Sequence, residues 1–223
     1  LDRSGNDFMD RVTVAAQDAR LRDVNSLSLA GDVTGDLVTT TGQGLLLGAT
    51  TVGGTATIHS GGAVRQDGDL RIVGTTQIDA ANQTAILDRS GNDFMDRLTV
   101  AAQDVTLQDA NSLNLAGDVT GDLATTTGQS LLLGVTAVGG TATIHSGGAV
   151  GQDGDLRIGG TTQIDAAGQT VTFDRSGNDF MDRVTVAAQD VTLQDANSLS
   201  LAGDVTGHLV TTTGQDLLLG ATT

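Results

Sequence analysis

LTVAAQDVTLQDANSLNLAGDVTGDL, residues 98–123, places apolar side chains at alternate positions in short bursts. Leu98-Thr99-Val100, Val105-Thr106-Leu107 and Leu113-Asn114-Leu115 each set a polar residue between two apolar ones, and Asp, Asn, Ser or Gly lie between the bursts. Successive side chains of a strand point to opposite faces, so this pattern predicts short strands with one buried face. Apolar residues two apart return at Leu131-Leu132-Leu133, Ala142-Thr143-Ile144, Leu156-Arg157-Ile158 and Val171-Thr172-Phe173. Anchored at Leu98, Leu113, Leu131, Leu156 and Val184, the runs stand 15, 18, 25 and 28 residues apart, and the round closes after 86.

That round is a tandem repeat. Residues 1–86 align with 87–172 without a gap, only 15 positions differ, and a third copy from Phe173 runs for 51 residues. DRSGNDFMDR accordingly begins at Asp2, Asp88 and Asp174. Self-similarity of this kind marks an array in which each unit buries its apolar face against the next. The expected organisation is 1–86, 87–172 and a partial copy 173–223, forming one continuous body.

Composition narrows the fold. All 27 acids are Asp, all 11 bases are Arg, and Glu, Lys, Pro, Cys, Trp and Tyr do not occur. Loss of the strong helix formers Glu and Lys, beside abundant Asp, Gly and Thr, predicts very little helix. A row of β-sandwich domains is one architecture for 86-residue units, but a sandwich of that size is built on a large aromatic core. The two full copies hold one Phe each, Phe8 and Phe94, and the apolar residues are mostly Leu, Val, Ile and Ala. Such side chains suit the narrow interior of a β-solenoid, where like stacks on like. The expectation is therefore an all-β, right-handed parallel β-helix. At ~20 residues per turn a copy makes about four coils, and at ~4.8 Å per coil the chain rises about 50 Å.

The wording of the repeat supports this. SGNDF (90–94), VTLQDANSLNLAGDVTGDL (105–123) and LLLGVTAVGGTATIHSGGAVGQDGDLRIGGTTQIDAAGQTVT (131–172) resemble the β-strand repeats of very large secreted bacterial proteins, similar to filamentous haemagglutinin and other two-partner-secretion adhesins. The resemblance covers the whole chain. It implies a right-handed parallel β-helix serving as the shaft of a surface or extracellular fibre. The family's amino-terminal secretion domain is not in this sequence. The chain opens partway through its own repeat with neither a signal peptide nor an initiating Met, as expected of a piece of a longer protein.

Several residues invite a functional reading. The acids of DRSGNDFMDR cluster as in calcium loops, but calcium β-rolls repeat every nine residues and an EF-hand loop ends on Glu. The alternative is a tight corner, with Gly177 and Asn178 at positive φ, Ser176 and Asp179 bonding nearby backbone, and the Phe180 ring laid against the side of the helix. Asp118, Asp122, Asp153 and Asp155 lie beside glycines and read as solvated turn residues, and Asp122 becomes His208 in the third copy. Alternation in TATIHSGG turns Ala142 and Ile144 inward and His145, like His59, outward, which is a poor start for a metal site. A threonine face needs TTTG on every coil, whereas it occurs at Thr39–Thr41, Thr125–Thr127 and Thr211–Thr213 only.

No catalytic, cofactor-binding or metal residue is assigned on this reading, and no cofactor is expected. Glycoside cleavage needs two placed carboxylates and stacking aromatics, and the aromatics are missing. A net charge of −16 argues against nucleic acid, and no apolar run approaches the ~20 residues that span a bilayer. The expected function is a structural segment of an extracellular or cell-surface adhesin or matrix filament, whose partner is a further copy of itself through head-to-tail coil stacking. Surface glycans or proteins of a host or neighbouring cell are further expected partners. A calcium-stiffened, glycan-binding module is the alternative.

Overall fold

A computed structural model describes residues 1–80 and 82–222. Among them lie 25 strands and no helix. Most strands pair in parallel with one a turn later, as Leu98–Ala102 does with Leu113–Val119 and Val105–Asp109 with Leu123–Thr127. The chain is a parallel β-solenoid of about 11 turns, each of about 19 residues.

The pairings reveal how the repeat maps onto the turns. One ladder runs from Leu27 through Leu45, Val64, Ala85, Val105, Leu123, Ala142, Thr162 and Val184 to Leu201, nine turns in all. Leu113, the equivalent of Leu27 one copy on, is not on that ladder; it pairs with Leu131 on a different side. Two copies thus occupy about nine turns and one copy about four and a half, close to the four expected. Equivalent residues of successive copies consequently face opposite sides of the rod.

A half-integral fit is possible because the turns are unequal. Val12 pairs with Leu29, 17 residues on; Leu27 with Leu45, 18 on; Thr50 with Leu70, 20 on; and Thr76 with Leu98, 22 on. The next step, Leu98 to Leu115, falls back to 17. Most of the added residues collect at one corner, and one more enters at the turn between Asp79 and Ala85. Ala30 alone separates the registered positions Leu29 and Gly31, and Gly48 and Ala49 separate Leu47 and Thr50. Asp67–Asp69 separate Gln66 and Leu70 a turn later, and the DRSGN loop fills the place after that. A bulge grows into a loop, and a two-sided coil becomes three-sided.

The interior is one hydrophobic cluster extending from Leu21 to Leu201. It crosses both copy junctions, where Leu87, Phe94, Phe173 and Phe180 are all buried. Phe173 and Phe180 stack with ring centroids 6.1 Å apart. The expectation that the Phe180 ring lies on the outside is therefore corrected: the widened coil opens an interior large enough for two rings, and burial of an aromatic ring outweighs surface packing. Positive φ occurs at Gly31, Asn82, Gly168 and Gly203. Asn82 and Gly168 are equivalent positions, so one of the 15 differences exchanges two residues that both tolerate the left-handed region.

Register gives a direct test. Leu115 is buried whereas Leu132, one turn on, faces outward. Leu115→Ala is expected to cost about 2–5 kcal/mol and Leu132→Ala under about 1 kcal/mol, measured by denaturant unfolding of the full chain.

Candidate functional site

The acid-rich loop is the natural place to look for chemistry, and its core is an amide. Asn92 is fully buried. Its Oδ1 accepts from Gln66 Nε2 at 2.8 Å and from the Leu70 backbone N–H at 3.0 Å, while its Nδ2 donates to Gln66 Oε1 at 2.9 Å and to the Leu87 carbonyl at 3.1 Å. Asn178 repeats the exchange with Gln152 and the Leu156 N–H. The expected positive φ at Gly177 and Asn178 is not found. Paired side-chain amides shape the corner instead, replacing ladder bonds that the widened coil no longer provides.

The loop's carboxylates are dispersed among separate partners. Arg89 Nε donates to Asp69 Oδ1 at 3.0 Å, Asn111 Nδ2 to Asp93 Oδ1 at 3.1 Å, and the Arg97 backbone N–H to Asp96 Oδ1 at 2.7 Å. Asp179 accepts from Asn197 Nδ2 at 3.2 Å. Among the described residues no three His or Asp side chains come together as a metal cluster. Asp122 sits at another corner, where it takes the Thr141 N–H at 2.8 Å while its own N–H donates to Asp104 at 2.9 Å. In the third copy the His208 N–H makes the same bond to Asp190 at 2.8 Å, so this half of the corner survives the exchange. The bonds from His208 backbone and ring hold the Asp190 carboxyl below its ordinary value.

Other expected positions divide. Asp153 and Asp155 occupy the growing corner between Val150–Gln152 and Leu156–Ile158. Asp118 is not a turn residue: it lies within the strand Leu113–Val119, faces outward, and is registered with Ala101 and Ala137. Its neighbour Gly117 marks a bulge in the strand rather than its end. His145 is exposed, with Nδ1 3.5 Å from Asp165, and His59 stands 3.8 Å from Asp79 on the opposite side. Of each threonine triplet two side chains turn inward, Thr39 and Thr41 in the first copy and Thr125 and Thr127 in the second, all buried.

Sequence reasoning missed one carboxylate per copy. Asp23, Asp109 and Asp195 are at most 2% exposed. Asp109 accepts the Phe94 N–H at 2.8 Å and the Asn111 N–H at 2.7 Å, and Asp195 does the same for Phe180 and Asn197. Asp93–Phe94 is the last strand of the third side, because the next coil has shrunk. Asp109 supplies the acceptor that a further strand would have provided. Stacked on it in register are Thr127 and Ser146, joined at 3.1 Å, a short polar row inside the apolar core. A signal for it exists, since in Val105-Thr106-Leu107-Gln108-Asp109 strict alternation puts the acid on the same face as Val105 and Leu107.

A family model described as repeats of unknown function, DUF5649, matches residues 34–101 and 124–187, more than half of the chain. The chain belongs to the DUF5649 repeats. Each matched segment spans the widening turns, one DRSGNDFMDR loop and the strand that follows it, so the DUF5649 unit coincides with the opening and closing of the corner. No curated protein and no solved structure matches the chain.

Burial pushes the Asp109 carboxyl above its ordinary value, against the pull of its two N–H donors and with the help of neighbouring Asp93. Between the unfolded and the raised folded value the folded chain holds the extra proton, so the contribution of Asp109 to stability falls as pH rises through that window. Asp109→Asn is expected to remove this slope and to lower stability at pH 7 by about 1–3 kcal/mol, because an amide nitrogen then faces a backbone donor. Thermal melts of both proteins from pH 4 to 7 measure both effects.

Proposed function

We propose that this chain is a shaft segment of a secreted or cell-surface bacterial fibre of the filamentous-haemagglutinin-like, two-partner-secretion type. The observation that carries the reading is continuity: one dry core and one set of parallel ladders pass through both copy junctions without a hinge. A rod built this way lengthens by adding copies, and its stability is a sum of coil and neighbour terms, so length alone does not compromise folding. Backbone hydrogen bonds run along the axis and carry axial load. The surface of Asp, Thr and Asn, with a net charge of −16, keeps neighbouring shafts apart in solution. No catalytic step belongs to this role.

Self-association belongs to the same reading: strands that stack coil on coil within one chain offer the same parallel pairing to a second copy, and a head-to-tail contact between unlike ends propagates as a filament. Host or neighbouring-cell glycans and proteins are the partners such a shaft would hold at a distance from the cell.

Negative-stain electron microscopy of the purified chain at increasing concentration is expected to show rods that join end to end, with little lateral bundling at low salt. Discrete particles of one length at every concentration would remove the self-association. Addition of a chelator is expected to leave the melting temperature unchanged; a large fall would instead favour the calcium-stiffened module.

A further inference from the structure

The growing corner is where the ladder is interrupted, and one side chain lies along it. Arg97 stands immediately before the strand Leu98–Ala102, and its Nη2 donates to Asp153 Oδ2 at 2.6 Å, 56 residues away. The strands met on that path are Leu98–Ala102, Leu113–Val119, Leu131–Val138 and then the corner between Val150–Gln152 and Leu156–Ile158. That is three coil steps, ~14 Å at ~4.8 Å each, which requires the arginine to extend along the rod axis.

The corner is cut to receive it. A Cβ placed on Gly134 would lie 3.0 Å from Ala116 Cβ, 3.1 Å from Arg97 Nη1 and 3.3 Å from Asp153 Oδ1. The residues under the guanidinium are thus the smallest available, one Ala and one Gly, on the two coils it crosses. The first copy repeats the arrangement on the other side of the rod. Arg11 Nη2 bonds Asp67, again 56 residues on, its Nε donates to Ser28 Oγ at 3.0 Å, and the Cβ position of Gly48 lies 2.9 Å from Ala30 Cβ and 3.1 Å from Arg11 Nη1.

We infer that Arg11 and Arg97 are axial straps, each tying a coil to the third coil beyond it across the corner where backbone pairing is broken. Backbone ladders join nearest neighbours only; a strap adds a coupling that skips two coils, and makes the widening turns open together. Since copies alternate in facing, straps fall on alternate sides of the rod, so neither edge is left to splay under tension. The mechanical role rests on the shaft reading, whereas the coupling itself does not.

Native-state hydrogen exchange on the full chain tests the coupling. The variants are Arg97→Gln, Asp153→Asn and the two together, with amides read at Gly117 and Thr136, which flank the corner on the two crossed coils. Each single substitution is expected to speed their exchange about two- to fivefold, the range of a well-placed surface ion pair. The double variant should exchange no faster than either single one, and 1 M salt should bring wild type and variants together. Arg71→Gln serves as the control, because its carboxylate partner Asp93 lies on the next coil and away from these amides; it is expected to change nothing. Wild-type exchange rates in the single variants, or single effects that add in the double, overturn the strap. Filament formation is read separately, so loss of the shaft reading leaves this result standing.

Discussion

Strands in this protein find their hydrogen-bond partners about 19 residues away in the chain, stacked along the axis of the rod. This constraint governs the rest. A parallel ladder repeated turn after turn requires each coil to present strands where the previous coil did, and it allows the chain to vary only at corners. The 17-to-22-residue cycle of coil lengths meets that requirement by placing most of the growth at one corner, with a smaller change at the turn between Asp79 and Ala85. The other sides keep their register while Ala30, then Gly48 and Ala49, then Asp67–Asp69, then the DRSGN loop are inserted.

Opening a corner creates two problems that side chains solve. At full width the interior is too broad for aliphatic side chains alone, and aromatic rings fill it: Phe173 and Phe180 meet inside the second wide coil. When the coil narrows again, the strand Asp93–Phe94 faces a coil with no strand to pair with it, and buried Asp109 takes its amide. The carboxylate is tolerated in the core because two N–H donors meet it. The Gln66–Asn92 amide pair does comparable work one turn earlier. What looks in the sequence like a ligand-binding cluster is the set of parts that opens and closes a third side.

Much of this is legible in the sequence. Alternation in Leu113-Asn114-Leu115 and Ala142-Thr143-Ile144 places the buried and exposed faces, and the structure agrees at each of these positions. His145 turns outward as its parity requires. Parity also points Asp109 inward, but an acid between apolar neighbours is easily passed over because its residue type suggests solvent. The Phe180 ring and the Asn178 side chain escape the reading for a related reason. Asp179–Phe180 is a strand of two residues, too short to show a period, so nothing local tells inside from outside. Asp118 reads as a turn residue because Gly117 precedes it, and that glycine sits at a bulge within the strand.

The sequence alone determined that the chain is all-β, that it repeats every 86 residues, and which face of most strands is dry, because period-two alternation and tandem identity are local properties of the chain. Only the tertiary structure decided that one copy spans about four and a half turns, so that copies alternate in facing, and that Arg97 meets Asp153. Those depend on how many residues each corner absorbs, and corner lengths are fixed by stacking against the coils on either side, not by any preference written within the corner itself.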